Sequence, residues 1–207
     1  MTTTLTRTTL AAAALLAFAS GAAFAQAKQS TNFTGLGVGV SIASSKNKLE
    51  FEPAASGPFE GTDSTADLLA SYGFNMGNQL VGTVGMAVGI KSTSFGTFVG
   101  TSSNSNATTK QHFALSFAPG LRIGNDGLVY GKLAFHQLSV NYTSTSGFDD
   151  TKTHTGTGVG FGYAHAISPQ LELRGEFEAV NYGSQMVGTS NTTPKQTSLG
   201  IGLIYKF

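Results

Sequence analysis

The final ten residues, Ser198-Leu199-Gly200-Ile201-Gly202-Leu203-Ile204-Tyr205-Lys206-Phe207, put a large apolar side chain at every second position. Leu199, Ile201, Leu203, Tyr205 and Phe207 share one face; Ser198, Gly200, Gly202, Ile204 and Lys206 share the other. Successive side chains of a strand point to opposite faces, so a period of two reads as extended chain. The same alternation recurs upstream. Leu36, Val38, Val40 and Ile42 oppose Gly35, Gly37, Gly39 and Ser41, and Ala66, Leu68, Ala70, Tyr72 and Phe74 oppose Asp67, Leu69, Ser71 and Gly73. Val84, Met86, Val88 and Ile90 oppose Thr83, Gly85, Ala87 and Gly89. Phe113, Leu115, Phe117 and Leu121 oppose His112, Ala114, Ser116, Ala118 and Arg122, and Val129, Leu133 and Phe135 oppose Tyr130, Lys132, Ala134 and His136. Val159, Phe161, Tyr163 and Ile167 oppose Gly158, Gly160, Gly162 and Ala164; Leu171, Leu173 and Phe177 oppose Glu172, Arg174, Glu176 and Glu178. With the final run this makes eight candidate strands.

Between the strands, short polar turns at Asn75 to Gln79, Ile123 to Gly127 and Ala166 to Gln170 alternate with long stretches rich in Ser, Thr, Asn and Gly. The long stretches, near 44–63, 91–110, 141–155 and 183–195, read as extended loops. Short turns on one side and long loops on the other are the habit of membrane barrels, whose periplasmic turns are tight. The predicted fold is all-β: an eight-stranded antiparallel up-and-down transmembrane barrel with both termini on the short-turn side. A soluble barrel would show the same period with its large apolar side chains inside. Here the opposite face is mostly glycine, alanine and serine, which cannot build an apolar core but can line a narrow lumen. The aliphatic face therefore meets hydrocarbon. Tyr72, Phe74, Tyr163, Tyr205 and Phe207 gather at the short-turn end as an interfacial aromatic girdle. Pro119 cannot donate to a ladder, so it predicts either a bulge at the rim or an end of the strand at Ala118.

The N-terminus reads as a secretory signal. Arg7 precedes an apolar core from Leu10 to Phe18, and Ala23-Phe24-Ala25 supplies a small-x-small cleavage site before Gln26. That run falls short of the ~20 apolar residues a spanning helix needs. Residues 1–25 are thus expected to be the signal peptide and 26–207 the barrel domain, with signal peptidase as a processing partner.

Composition narrows the function. Only 11% of residues are Asp, Glu, Lys or Arg and the net charge is +1, which offers no basic surface for nucleic acid. The absence of cysteine removes thiol catalysis, disulfides and thiolate metal sites. The glycine runs 35–39 and 158–162 lack nucleotide-loop spacing, and no cofactor is expected. Inward charges are the candidate site: Asp67, Arg122, Lys132, Glu172, Arg174, Glu176 and Glu178. Charges in a narrow lumen must be paired, because an isolated buried ion is costly. They read as an ion-paired plug, the alternative being a catalytic carboxylate pair or a proton path. Serine hydrolysis needs a histidine beside the nucleophile. Residues two beyond His112, His136, His154 and His165 are Ala114, Leu138, Gly156 and Ile167, none of them serine. The histidines lie on different segments with no close ligand pair in sequence, so no metal site is expected.

Three stretches give the chain a family resemblance. Ala118-Pro119-Gly120 runs through a polar turn into Leu128-Val129-Tyr130-Gly131-Lys132; Ser168-Pro169 leads into Leu171-Glu172-Leu173-Arg174-Gly175-Glu176-Phe177; and the chain ends Leu203-Ile204-Tyr205-Lys206-Phe207. From Asn32 to Phe207 it resembles the small outer-membrane β-barrel proteins similar to OmpX and the OmpA transmembrane domain. The resemblance implies a place in the outer membrane of a Gram-negative bacterium, among lipid and lipopolysaccharide. It implies that Leu203, Tyr205 and Phe207 form the C-terminal signal read by the barrel assembly machinery. No peptidoglycan-binding domain of the full OmpA type is expected after the barrel. The absent tryptophan departs from the usual girdle. Three functions compete. The first is a non-catalytic structural or surface-interacting barrel with a filled polar lumen and four long extracellular loops of unknown ligand. The second is a narrow porin for small solutes, and the third an outer-membrane lipid-modifying enzyme. Interior charge favours the first over the second, and the missing His/Ser spacing disfavours the third.

Overall fold

A computed structural model describes residues 32–52, 59–99, 104–188 and 190–207. The expected signal peptide and its cleavage site at Ala23, Ala25 and Gln26 lie outside the described residues. The strands are β1 (Gly35–Glu52), β2 (Phe59–Asn75), β3 (Leu80–Gly89), β4 (Ser94–Val99), β5 (Asn104–Ile123), β6 (Gly127–Ser144), β7 (Asp149–Ala166), β8 (Leu171–Tyr182), β9 (Gln185–Val187) and β10 (Ser190–Lys206). Eight of them form a closed antiparallel ring in the order β1-β2-β3-β5-β6-β7-β8-β10. The ring closes where β1 meets β10, from Gly37 opposite Lys206 to Glu52 opposite Asn191. The short β4 and β9 are additions, paired to β5 and β10.

Around the lower half of the ring every strand turns its apolar face outward. Leu133 is 61% exposed, Phe161 64% and Leu199 66%, a distribution that water would penalise and hydrocarbon rewards. A run such as Leu199–Phe207 at ~3.3 Å per residue, tilted by about 40°, covers roughly 20 Å of membrane. The aromatic girdle is in place, with Tyr72, Tyr163, Tyr205 and Phe207 all exposed at the short-turn end.

The long polar loops of the sequence reading are a correction. Strands β1, β2, β5, β6, β7 and β10 continue through most of 44–63, 104–110, 141–155 and 190–195, and the β6–β7 connection is only residues 145–148. Threonine is a good strand former, and above the membrane an outward face has no need to be apolar. The sense of the barrel therefore reverses along its length. On β7 the outward residues are Thr151, Thr153, Thr155 and Thr157 before they become Val159, Phe161 and Tyr163. Inside that upper section Leu49, Phe95, Leu138, Val140, Tyr142, Val180 and Tyr182 form a buried apolar cluster. The lower half is lipid-facing outside and polar within; the upper half is water-facing outside and apolar within.

Two irregularities shape the wall. The pairing of β5 with β6 shifts register between Thr109 and Gln111, which makes Lys110 the bulged residue. Below it, Pro119 corrects both sequence alternatives. The strand continues to Ile123, and pairing with β6 passes from Phe117 opposite Leu133 to Gly120 opposite Tyr130 in unchanged register. Proline is accommodated by a gap in one ladder, with neither a bulge nor a strand end. On the other side, Pro119 still stands opposite Gly82 of β3.

Between β2 and β4, side chains stand in for a ladder. The Asp63 carboxylate accepts from the amide of Ser94 at 2.9 Å, from Lys91 Nζ at 2.9 Å and from the amide of Ser64 at 2.7 Å. The Ser94 amide first, and the Lys91 ammonium second, hold this carboxyl below its usual range. The staple lies above the lipid belt and lets β4 tuck Phe95 fully into the lumen.

Candidate functional site

The lower lumen holds a polar chamber built from one column of side chains on each of several strands. Strand β8 contributes Glu172, Arg174, Glu176 and Glu178; β6, two places along the wall, contributes Tyr130, Lys132 and His136. Between them lies β7, whose inward residues there are Gly156, Gly158, Gly160 and Gly162. The missing side chains let β6 and β8 meet across it. A Cβ at Gly158 would stand 2.7 Å from His136 Nε2 and 2.9 Å from Glu178 Oε1, so only glycine leaves room for that contact.

The contacts form a chain. His112 Nδ1 lies 3.2 Å from Asp67 Oδ1, and His112 Nε2 lies 3.0 Å from His136 Nδ1. His136 Nε2 lies 3.1 Å from Glu178 Oε1. Lys132 Nζ then donates to Glu178 at 3.1 Å and to Glu176 at 2.6 Å, and the Tyr130 hydroxyl donates to Glu176 at 3.1 Å. A second cluster sits lower, where Arg174 pairs with Glu172 and lies 5.9 Å over the Tyr130 ring. Lys206 Nζ stands 3.9 Å from Glu172 Oε2, and both are almost fully buried. A cavity of about 140 Å³ runs beside the chain, lined by Asp67, His112, Lys132, Arg174, Glu176 and Glu178 among others.

Apolar clusters flank the chamber below and above. Below, Phe33, Val81, Leu128, Tyr130, Ala164 and Ala166 pack together. Phe33 adopts φ 70° and its carbonyl lies directly over Gly73, where any Cβ would collide with it. Asn32 ties this segment to the β5–β6 turn through the Asn125 carbonyl at 3.0 Å and Asp126 at 3.1 Å. Above, the cluster around Phe95, Tyr142 and Tyr182 covers the chamber. Within it His154 Nδ1 lies 2.9 Å from the Gly183 carbonyl and Nε2 2.9 Å from the Tyr142 hydroxyl.

Of the residues singled out from sequence, Asp67, Lys132, Glu176 and Glu178 meet in the chain, and Glu172 and Arg174 pair below it. Arg122 stands apart at the lower rim, where its Nη2 donates to Asn75 Oδ1 at 2.7 Å and the Asn32 carbonyl at 3.3 Å. Leu203, Tyr205 and Phe207 all point outward, and the Phe207 amide donates to the Leu36 carbonyl at 2.9 Å. Sequence reasoning passed over His112, His136, Tyr130 and Lys206. His112 and His136, far apart in sequence, touch across neighbouring strands. The signal was present, since both fall on inward faces of adjacent strands; scanning along each strand for a serine missed it. Among the described residues no group of three or more metal-ligating side chains is assembled for an ion.

A family model described as the outer membrane protein beta-barrel domain matches residues 11–207. Among solved structures, Neisserial surface protein A is similar at 16% identity and a TM-score of 0.50, covering 82% of this chain and 97% of that one. Ail, the attachment invasion locus protein of Yersinia pestis, solved with the heparin analogue sucrose octasulfate, is 14% identical with a TM-score of 0.49, covering 83% and 99%. The outer membrane protease OmpT from Escherichia coli is 8% identical with a TM-score of 0.47, covering 83% and 96%. No curated protein matches by sequence.

Proposed function

Since this chain belongs to the outer membrane protein β-barrel domain family and resides in the outer membrane of a Gram-negative bacterium, we propose that it is a closed barrel with a structural or surface-interaction role, performing neither solute passage nor catalysis. The observation that carries the reading is the lumen: an ion-paired chamber sealed below by Phe33 and its neighbours and above by the Phe95–Tyr182 cluster. A solute crossing such a barrel would have to displace buried apolar side chains and break ion pairs that span the lumen. Eight-stranded barrels are narrow enough for side chains to fill them.

The rigid wall above the membrane supports work at the surface. Thr151, Thr153, Thr155 and Thr157 of β7, flanked by Gln137, Ser139 and Asn141 of β6, present a flat polar face on hydrogen-bonded strands. Against catalysis, among the described residues the partners of His112 and His136 are carboxylates and one another, and those of His154 are the Tyr142 hydroxyl and the Gly183 carbonyl, with no serine hydroxyl. Lipid and lipopolysaccharide surround the lower belt, and the assembly machinery is the proposed reader of Leu203, Tyr205 and Phe207.

Planar-bilayer recording of the purified protein tests this. The expected result is no sustained unitary current; a steady conductance would replace the closed-barrel reading with the narrow porin.

A further inference from the structure

Asp67, His112, His136 and Glu178 make three consecutive contacts, each between two groups that need a proton between them. A hydrogen bond holds one proton, so three contacts hold three. Two neutral imidazoles supply two, and ionised carboxylates supply none. One more proton is required, whichever atom carries it. Carboxylic acids are stronger acids than imidazolium, which puts the extra proton on the imidazoles. We propose that His112 and His136 form a proton-binding site: an imidazole–imidazolium pair sharing one proton between His112 Nε2 and His136 Nδ1, 3.0 Å apart.

Charge balance within the chamber, counted without Arg122 at the lower rim, agrees with that count. The chamber carries four acidic side chains, Asp67, Glu172, Glu176 and Glu178, against three basic ones, Lys132, Arg174 and Lys206. With both histidines neutral and every other acidic and basic group charged, the chamber would hold one unbalanced negative charge. The shared proton brings it to neutrality, the condition a poorly solvated interior favours.

The surroundings match. Asp67 faces the pair from β2; Glu178 from β8, with Glu176 and the Tyr182 ring, whose centroid is 6.2 Å from that of His136. Lys132 faces it from β6, one contact away through Glu178. Gly89 of β3 and Gly158 of β7 approach without side chains. From β1 and β10 the cavity is lined by Ser45, Gln196 and Ser198, none charged. Loss of the proton would leave two nitrogen lone pairs facing each other while the outer N–H groups stay committed to the carboxylates. A tautomer shift could restore the 3.0 Å contact only by giving up one of the two carboxylate contacts. The chamber thereby couples its packing to external acidity.

Histidine-selective ¹⁵N NMR of the full barrel refolded in phospholipid bilayers reads the proton count directly. Across an acid-to-alkaline titration the pair is expected to show a plateau at three protonated nitrogens of four. Its next step should move the His112 and His136 signals together, while those of His154 and His165 shift separately. Asp67→Asn should erase the plateau, because an asparagine amide can donate to His112 Nδ1 and the chain is then satisfied by two imidazole protons. The same change removes one negative charge, so neutrality holds with one proton fewer. If that variant fails to fold, Glu178→Gln makes the same demand from the other end. A parent pair with two protonated nitrogens throughout, or an identical plateau in parent and folded variant, would overturn the assignment.

Discussion

Replacing Phe33 isolates the lower seal. Its side chain is 2% exposed, so Phe33→Ala removes a nearly complete aromatic burial, a change that typically costs about 3–5 kcal/mol. The lower end of that range is expected, because the site lies at a rim where water can enter the space left behind. The backbone adds a second, sharper expectation. Phe33 sits at φ 70°, a conformation that costs an L-residue roughly 1–2 kcal/mol. Alanine keeps that penalty and glycine escapes it, losing only about 0.5–1 kcal/mol to chain entropy. Phe33→Gly should therefore match or slightly exceed Phe33→Ala, although glycine ordinarily trails alanine. Urea unfolding of the detergent-refolded barrel, followed by far-UV circular dichroism because the chain has no tryptophan, gives both midpoints. An unchanged midpoint for Phe33→Ala would mean that the ring seals nothing. A glycine variant well below the alanine one would mean that the backbone does not occupy the left-handed region.

Lys132→Met leaves Glu176 and Glu178 without their shared cation and should lower the urea midpoint by an amount below the ~3–5 kcal/mol of a fully buried pair, since the adjoining cavity admits water. For Asp63, whose folded pKa is depressed, the staple's contribution is present above the ordinary carboxyl value near ~3.9 and disappears as pH falls through the folded value. Amide protection factors at Thr93 to Gly96, each taken relative to the intrinsic exchange rate at that pH, should accordingly fall in acid, and Asp63→Ala should show the low protection at neutral pH as well. Deleting Phe207 should reduce outer-membrane yield far more than in vitro stability, because its ring is 72% exposed and packs against little beyond Tyr205; equal yields would remove its sorting role. Intact mass of the outer-membrane material should correspond to a chain beginning at Gln26, and a retained N-terminus would refute cleavage after Ala25.

Period-two patterning made the ring legible because each lipid-facing strand obeys one rule over its whole lower half. It failed where the rule changes sign. Leu138, Val140 and Tyr142 alternate as regularly as Val129, Leu133 and Phe135, but their apolar side chains point inward, so the segment from Asn141 onward read as loop. The bulge at Lys110 was equally invisible, because a one-residue insertion leaves no composition mark. For the chamber, facing gave the inward charges but not their heights. Arg122 and Glu176 look equivalent on a face list, although Arg122 directly precedes the Ile123 to Gly127 turn and so lies at the rim, while Glu176 lies midway along its strand. The histidine contact required the register between strands, since Ala114 stands opposite His136 and the partner lies two residues away, on a diagonal.

The reversal of polarity along each strand also fixes how deep the molecule sits. On β1, β2, β6, β7 and β10 the change occurs between Ile42 and Ser44, Ser64 and Ala66, Phe135 and Gln137, Thr157 and Val159, and Thr197 and Leu199. A single helix meets a bilayer of the wrong thickness by tilting, but a ring of mutually bonded strands is too broad and stiff to lean without drowning one side and baring the other. The lipid has to do the adjusting, at fractions of a kcal/mol per ångström of mismatch. The barrel is thus a calliper set to one leaflet spacing, and neighbouring lipids would be drawn toward that spacing wherever it floats.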